Sequence, residues 1–121
     1  DGGYIMCGEL LAGTTAAYSY GISGYDGWGA QISNQLGVRV EQYDCYNLNH
    51  PACPLGLKCN FTFHGECISS YPHQTNFKSF KTLKDHMAAN GHAPLTASGG
   101  AAGANLVMKM DVEGAEWEVF A

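Results

Sequence analysis

The sequence has little charge, few basic residues and no long apolar run. Charged residues make up 14% of the 121 residues, and the six Lys and Arg residues are scattered. A basic face for nucleic acid is therefore not expected, and the net charge of −5 argues against one as well. No apolar run approaches the roughly 18 residues that a membrane span needs. We find no repeat, linker or signal peptide, and the chain opens at Asp1, which fits a mature form or an excised piece.

Cysteine, by contrast, is abundant. Five cysteines are many for this length, and an odd number cannot all pair within the chain. Residues 60–62 read Asn-Phe-Thr, which is an N-glycosylation sequon. Together these features favour a secretory or Golgi setting over the cytoplasm, with free buried thiols as the alternative.

The cysteines allow several arrangements. Cys53, Cys59, His64 and Cys67 are ligand types that zinc uses, but their spacing matches no common zinc module. We favour a Cys53–Cys59 disulfide across a proline-bearing loop and predict no metal. Cys45 and Cys67 end neighbouring predicted strands and could also come close, and simple thiols complete the alternatives.

Histidine offers no clear catalytic group. Four histidines lie in predicted loops or on a predicted helix without partners at a useful spacing. We interpret each as a polar surface residue and assign no general base. They are His50, His73, His86 and His92.

Apolar periodicity predicts alternating strands and helices. Apolar and charged side chains alternate over residues 38–41, as in a strand, and apolar residues recur at i, i+3 and i+7 from Phe80, as in a helix. Residues 46–60 hold three Asn, two Pro and two Cys and are predicted to form a loop, as is the small-residue stretch 98–103. The predicted strands are 3–7, 16–22, 38–43, 61–68 and 105–111, and the predicted helices are 29–36, 80–90 and 115–121.

This order predicts an α/β fold, a Rossmann-like doubly wound, mostly parallel sheet in a single domain over residues 1–121. Two right-handed crossovers leaving strand 16–22 in opposite directions would place strand 105–111 on one side of it. Strand 38–43 would lie on the other side, with 61–68 outermost. Ligands of such sheets bind at the carboxyl ends of the strands, beside the point where the strand order reverses.

Two features at these strand ends suggest a nucleoside site. Glycines crowd the turn after strand 16–22, and Gly21 and Gly24 would let a ligand approach the main chain. Asp44 ends the next strand about 20 residues later, where a carboxylate can accept ribose hydroxyls. A plain glycine-rich turn and a solvated Asp are the alternatives. The glycine spacing does not match G-x-G-x-x-G, which disfavours a dinucleotide oxidoreductase.

Four carboxylates follow the last predicted strand. Asp111 would point into the same cleft as the glycine turn, and with Glu113 it is interpreted as functional. Either could face a metal, a substrate hydroxyl or a ligand's positive charge. Glu116 and Glu118 are interpreted as favourable charges at a helix N-terminus.

The stretch "MKMDVEGAEWEVF" resembles the signature K-[IM]-D-[VI]-E-G-x-E of FkbM-type, S-adenosylmethionine-dependent methyltransferases. "DGGYIMC" and the later "YSYGISGYDGWGAQIS" resemble the start of this methyltransferase-like domain. The resemblance runs through nearly the whole chain. The D-V-E-G-A-E-W block is fairly specific, and the glycine turn is much less so.

The resemblance implies a nucleoside-binding fold that uses S-adenosylmethionine. Gly21 and Gly24 would approach the methionine part, and Asp44 would hold the ribose. Asp111 and Glu113 would face the methyl group and the acceptor, which in this family is usually a hydroxyl of a sugar or another small metabolite. Near the adenine would lie Glu66, Cys67 and Ile68.

The chain departs from the family pattern at three points. Tyr20 stands where many relatives have an acidic residue, and loop 46–60 replaces a helix. A complete fold of this kind needs about three more strands, so we expect the N-terminal portion of a methyltransferase domain, truncated after its fourth core strand. The alternative is a non-catalytic binding or secreted interaction module that keeps the nucleoside fold and uses the Cys loop for recognition.

Overall fold

The computed structural model describes residues 4–92 and 105–120 of the chain. The predicted loop 98–103 lies outside them. The helices are α1 (Gly8–Leu11), α2 (Gly27–Leu36), α3 (Leu83–Ala89) and α4 (Glu116–Val119). The strands are β1 (Ala16–Tyr20), β2 (Arg39–Tyr43), β3 (Phe61–His64), β4 (Cys67–Ile68), β5 (His73–Thr75), β6 (Lys78–Lys81) and β7 (Leu106–Met110).

Four strands form an all-parallel sheet in the order β3-β2-β1-β7. Tyr18 in β1 is in register with Glu41 on one side and Met108 on the other. All five residues of β1 are buried, as expected for a central strand of a parallel sheet. The predicted strand order and direction are confirmed, and so is the α/β class.

Helix α2 covers one face of this sheet. Asp26 caps its start by accepting a hydrogen bond from the Gly29 backbone N–H, and Gly37 ends it in the left-handed conformation with φ 66°. The predicted helix 29–36 and its glycine cap are therefore confirmed, with the start two residues earlier. Ala17, Ile32, Val38 and Val40 form the hydrophobic core between α2 and this face of the sheet.

Helix α3 contributes to the core on the opposite face. Leu83 and Met87 pack against a buried cluster that includes Tyr18, Tyr20 and Tyr43. The predicted helix 80–90 began too early, because Phe80 lies in β6. Thr82 and Asp85 form a reciprocal capping box that fixes the helix start at Leu83.

The single strand predicted at 61–68 is wrong. The chain leaves the parallel sheet after His64, and β4 pairs with β6 in a separate mixed sheet of order β4-β6-β5. The residue pattern of 61–68 cannot reveal which partner a strand will take, and this second sheet was not predicted. The Cys45–Cys67 disulfide, with 5.0 Å between its Cα atoms, joins the two sheets.

The chain ends also differ from prediction. Residues 4–7 of the predicted strand 3–7 have no regular structure, and residue 3 lies outside the described part. No strand pairs with them there, and Ile5 is fully exposed. The predicted helix 115–121 is only the short α4, and residue 121 is not described. Loop 46–60 is irregular as predicted, and the predicted Cys53–Cys59 disulfide closes it.

Candidate functional site

The carboxyl ends of β1, β2 and β7 meet at one edge of the parallel sheet. The Gly21 N–H donates to the Tyr43 carbonyl at 3.0 Å, and the Asp111 N–H donates to the Tyr20 carbonyl at 3.1 Å. The strand order reverses at β1, which is the position where open α/β sheets bind ligands. We call residues 21–24, Asp44, Asp111 and Glu113 the strand-end site.

Gly21 is required by the packing of two strand ends. Its φ is 78°, and a Cβ added to it would lie 1.8 Å from the main-chain oxygen of Asp111. Both the backbone conformation and the close approach exclude a side chain. The glycine therefore has a structural reason that does not depend on a ligand.

The rest of the glycine turn presents its backbone at the surface. Gly24 has φ 82°, and a Cβ there would lie 3.3 Å from Asn47 Nδ2, so the turn packs closely on the segment after Asp44. Ser23 is exposed and also has a positive φ of 50°. The turn is therefore accessible from solvent at Ser23.

Asp44 ties the glycine turn to the end of β2. Its Oδ2 accepts from the Ser23 N–H at 2.7 Å, and its Oδ1 accepts from the N–H groups of Tyr46 (2.9 Å) and Asn47 (3.0 Å). Burial raises the pKa of Asp44. Hydrogen bonds from backbone N–H groups outweigh this effect of burial and hold the pKa of Asp44 below its usual value. The donors are Asn47, Ser23, Tyr46 and Ile22.

Asp111 and Glu113 lie in the turn between β7 and α4. Both are exposed, and neither side chain has a hydrogen-bond or ion-pair partner in the part of the chain that is described. Glu116 differs, because it accepts from the N–H groups of Val112 (2.7 Å) and Gly114 (2.9 Å), which lowers its pKa. This confirms the helix-start role predicted for Glu116.

The predicted adenine residues lie apart from the exposed turn. Cys67 and Ile68 are each 6% exposed, and the Cys67 sulfur is bonded to Cys45, the residue after Asp44. Glu66 forms an ion pair with Lys81. The Cys45–Cys67 disulfide connects this segment to the chain just after Asp44, and Ile68 packs in the same buried cluster as Tyr20 and Tyr43.

Asp26 is a buried residue that supports the start of α2 and that sequence reasoning missed. It is 4% exposed and accepts from Ser19 Oγ (3.1 Å), Gly29 N–H (2.8 Å) and Gln42 Nε2 (2.8 Å). It joins the start of α2 to β1 and β2. An Asp directly before the first residue of a helix is an N-cap signal that could have identified it.

A buried group of tyrosines and histidines was also missed. The Tyr20 hydroxyl and His86 Nδ1 are hydrogen bonded at 2.9 Å, and Asn90 Nδ2 donates to the hydroxyls of Tyr18 (3.1 Å) and Tyr43 (2.8 Å). His86 is 1% exposed, so its predicted surface position is wrong. Burial lowers its pKa to about 4. Because this polar network sits beneath α3, we interpret it as part of the core.

The described residues contain few other features suited to ligands. Three of the four candidate zinc ligands are cysteines in disulfides, and no group of three or more His, Cys, Asp or Glu in the described ranges could hold a metal ion. A hollow of about 290 Å³ lies against residues 74–79 and includes none of the predicted site residues. No helix within residues 4–92 or 105–120 is long and apolar enough to cross a membrane.

The strand-end site combines an accessible backbone turn with two uncommitted carboxylates. It suits a polar ligand that carries hydroxyls and a positive charge. Comparisons of this chain with protein-family models, curated proteins and solved structures found no match.

Proposed function

We propose that this chain has a Rossmann-like fold and is an S-adenosylmethionine-dependent methyltransferase domain. The observation that supports this most is the hydrogen bond between Ser23 and Asp44, because it joins the glycine turn to the acidic end of β2 beside the strand-order reversal. A nucleoside ligand uses those two features together. The D-V-E-G-A-E-W block, which begins at Asp111, adds the resemblance to FkbM-type enzymes.

The contacts of Asp44 limit how it would bind a ribose. A carboxylate can accept about four hydrogen bonds. Three backbone N–H groups donate to it and the Ile22 N–H also lies close enough to lower its pKa, so we assign it at most one ribose hydroxyl rather than two. The adenine would then lie beside Glu66 and the backbone of Cys67 and Ile68, since the side chains of the latter two are buried.

Asp111 and Glu113 would act on the acceptor side. S-adenosylmethionine, when bound, supplies a methyl group on a positively charged sulfur. The two exposed carboxylates would favour that charge, and one of them would take the proton from the acceptor hydroxyl. Methyl transfer otherwise requires positioning and exclusion of water. The acceptor is a hydroxyl of a sugar or another small metabolite.

Calorimetric titration with S-adenosylhomocysteine, the demethylated product, tests the proposal. We expect saturable binding at one site per chain. NAD serves as the control, because a dinucleotide-binding site would bind NAD and a methyltransferase site would not. We expect no binding of NAD. A full-length protein that contains this chain and is folded by circular dichroism but does not bind S-adenosylhomocysteine would refute the methyltransferase assignment.

A secreted interaction module is the second candidate. Two disulfides lie in residues 45–67, which is typical of chains that fold in oxidising compartments. This region also exposes Tyr46, Leu48 and Leu55 at 80%, 61% and 102%. Failure to bind S-adenosylhomocysteine, with retention of both disulfides in the secreted protein, would favour this candidate.

A further inference from the structure

Lys109 brings a positive charge to the strand-end site. It lies in β7, and its Nζ donates to the carbonyl oxygens of Gly21 at 3.1 Å and Tyr20 at 3.4 Å. Nζ also stands 5.8 Å from the centroid of the exposed Tyr4 ring. An ammonium has three N–H donors, so one N–H is not used by the two carbonyl oxygens beside the first glycine of the turn. The side chain is half-buried, which reduces the freedom of its charged end.

The other basic side chains are occupied elsewhere or exposed. Arg39 pairs with Glu41, and Lys81 pairs with Glu66. Lys78 stands over the Tyr46 ring, 5.1 Å from its centroid. Lys109 has no carboxylate partner within residues 4–92 and 105–120. The two exposed lysines are Lys58 and Lys84.

We propose that Lys109 binds the carboxylate of the amino-acid part of the ligand. This inference rests on the proposed function, in which the methionine part approaches Gly21 and Gly24. The ammonium of Lys109 already contacts the Gly21 carbonyl, so it lies where that carboxylate would arrive. A charge-assisted N–H to carboxylate bond is about twice as strong as a neutral one.

The resulting site matches a zwitterionic nucleoside. Asp44 takes a ribose hydroxyl, the exposed carboxylates of Asp111 and Glu113 face the sulfonium, and Lys109 takes the carboxylate. A purely structural role for Lys109, holding β1 to β7 through the Tyr20 and Gly21 carbonyls, is the competing interpretation. The two roles differ in whether the effect of Lys109 depends on the ligand's carboxylate.

A pair of ligands separates these roles. S-adenosylhomocysteine and its decarboxylated analogue differ only in the carboxylate, and both can be titrated by calorimetry. In the wild-type chain we expect S-adenosylhomocysteine to bind about 10-fold or more tightly than the analogue. Equal affinities would overturn the inference without the use of any variant.

Three variants complete the test. Lys109→Met should weaken binding of S-adenosylhomocysteine by about 10-fold while leaving the analogue within about two-fold. Lys109→Arg, which keeps the charge, should restore much of the preference for the carboxylate. Lys84→Met is the matched control and should retain the full preference.

The outcomes distinguish the inference from the proposed function. If Lys109→Met weakens both ligands equally, Lys109 is structural and the inference is wrong, while the proposed function stands. If the wild-type chain binds neither nucleoside, the proposed function fails and the inference fails with it. If Lys109→Met does not fold, the wild-type ligand pair and Lys109→Arg decide the question.

Discussion

The Ser23 backbone N–H donates to Asp44 Oδ2 at 2.7 Å, so the end of β2 holds the glycine turn directly. One carboxylate thus stabilises the turn and lies where a ribose would bind. Loss of the first role lowers folding stability, and loss of the second lowers ligand affinity. Ligand affinity and folding stability must therefore be measured together for every variant of Asp44.

Asp44→Ala should weaken S-adenosylhomocysteine binding by about 10-fold, because it removes one charge-assisted hydrogen bond. Asp44→Asn should lose less, since its amide oxygen still accepts. Asp85→Ala is the control, because Asp85 also accepts from a backbone N–H, that of Thr82, but caps α3. Titrations of all three variants check this, and unchanged affinity in Asp44→Ala would refute the ribose assignment.

Gly21→Ala should destabilise the fold by about 3 kcal/mol or more, because it combines a positive φ with a clash against the Asp111 main chain. Gly37→Ala is the matched control. Gly37 has φ 66° and no atom within 4 Å of its added Cβ, so only the backbone cost of about 1 kcal/mol remains. Urea unfolding measures both, and equal losses would contradict the packing explanation.

The two disulfides should differ in their effect on stability. Replacing Cys45 and Cys67 with Ala opens a link between residues 22 positions apart, and should cost about 3 kcal/mol from chain entropy alone. Replacing Cys53 and Cys59 opens a link of 6 positions, and should cost about 2 kcal/mol. Urea unfolding of both double variants checks the order, and a reversed order would contradict it.

Stability should fall in mild acid because of His86. Its pKa drops from 6.5 in the unfolded chain to about 4 in the fold. Above pH 6.5 the His86 imidazole is neutral in both the folded and the unfolded state. Between pH 6.5 and 4 it gains a proton only in the unfolded state. Unfolding free energy should therefore decrease by up to about 3 kcal/mol across that window.

Urea unfolding at several pH values measures this slope. His86→Gln should flatten it, and His50→Gln, at an exposed position, should leave it unchanged. Glu66, whose Oε1 lies 3.7 Å from His86 Nε2, favours the protonated form. Glu66→Gln should therefore extend the loss to lower pH and increase its total. A His86→Gln variant with the wild-type slope would assign the acid sensitivity to other groups.

The sequence by itself determined the parallel sheet and its strand order. Alternating strand and helix signals leave few right-handed topologies, and the 16–22, 38–43 and 105–111 strands fell where predicted. The cap of α2 was also readable, because Gly37 follows a helical period and supplies the left-handed conformation locally. These features depend on neighbours in the chain or on a general rule of chain connection.

The tertiary structure alone decided which residues meet. The split between β3 and β4 depends on a later strand, β6, that pairs with β4, and the burial of His86 depends on Tyr20, 66 positions away. The contact of Lys109 with Gly21 spans 88 positions. No local period encodes such distances, because they arise when strands far apart in the chain become neighbours in one sheet.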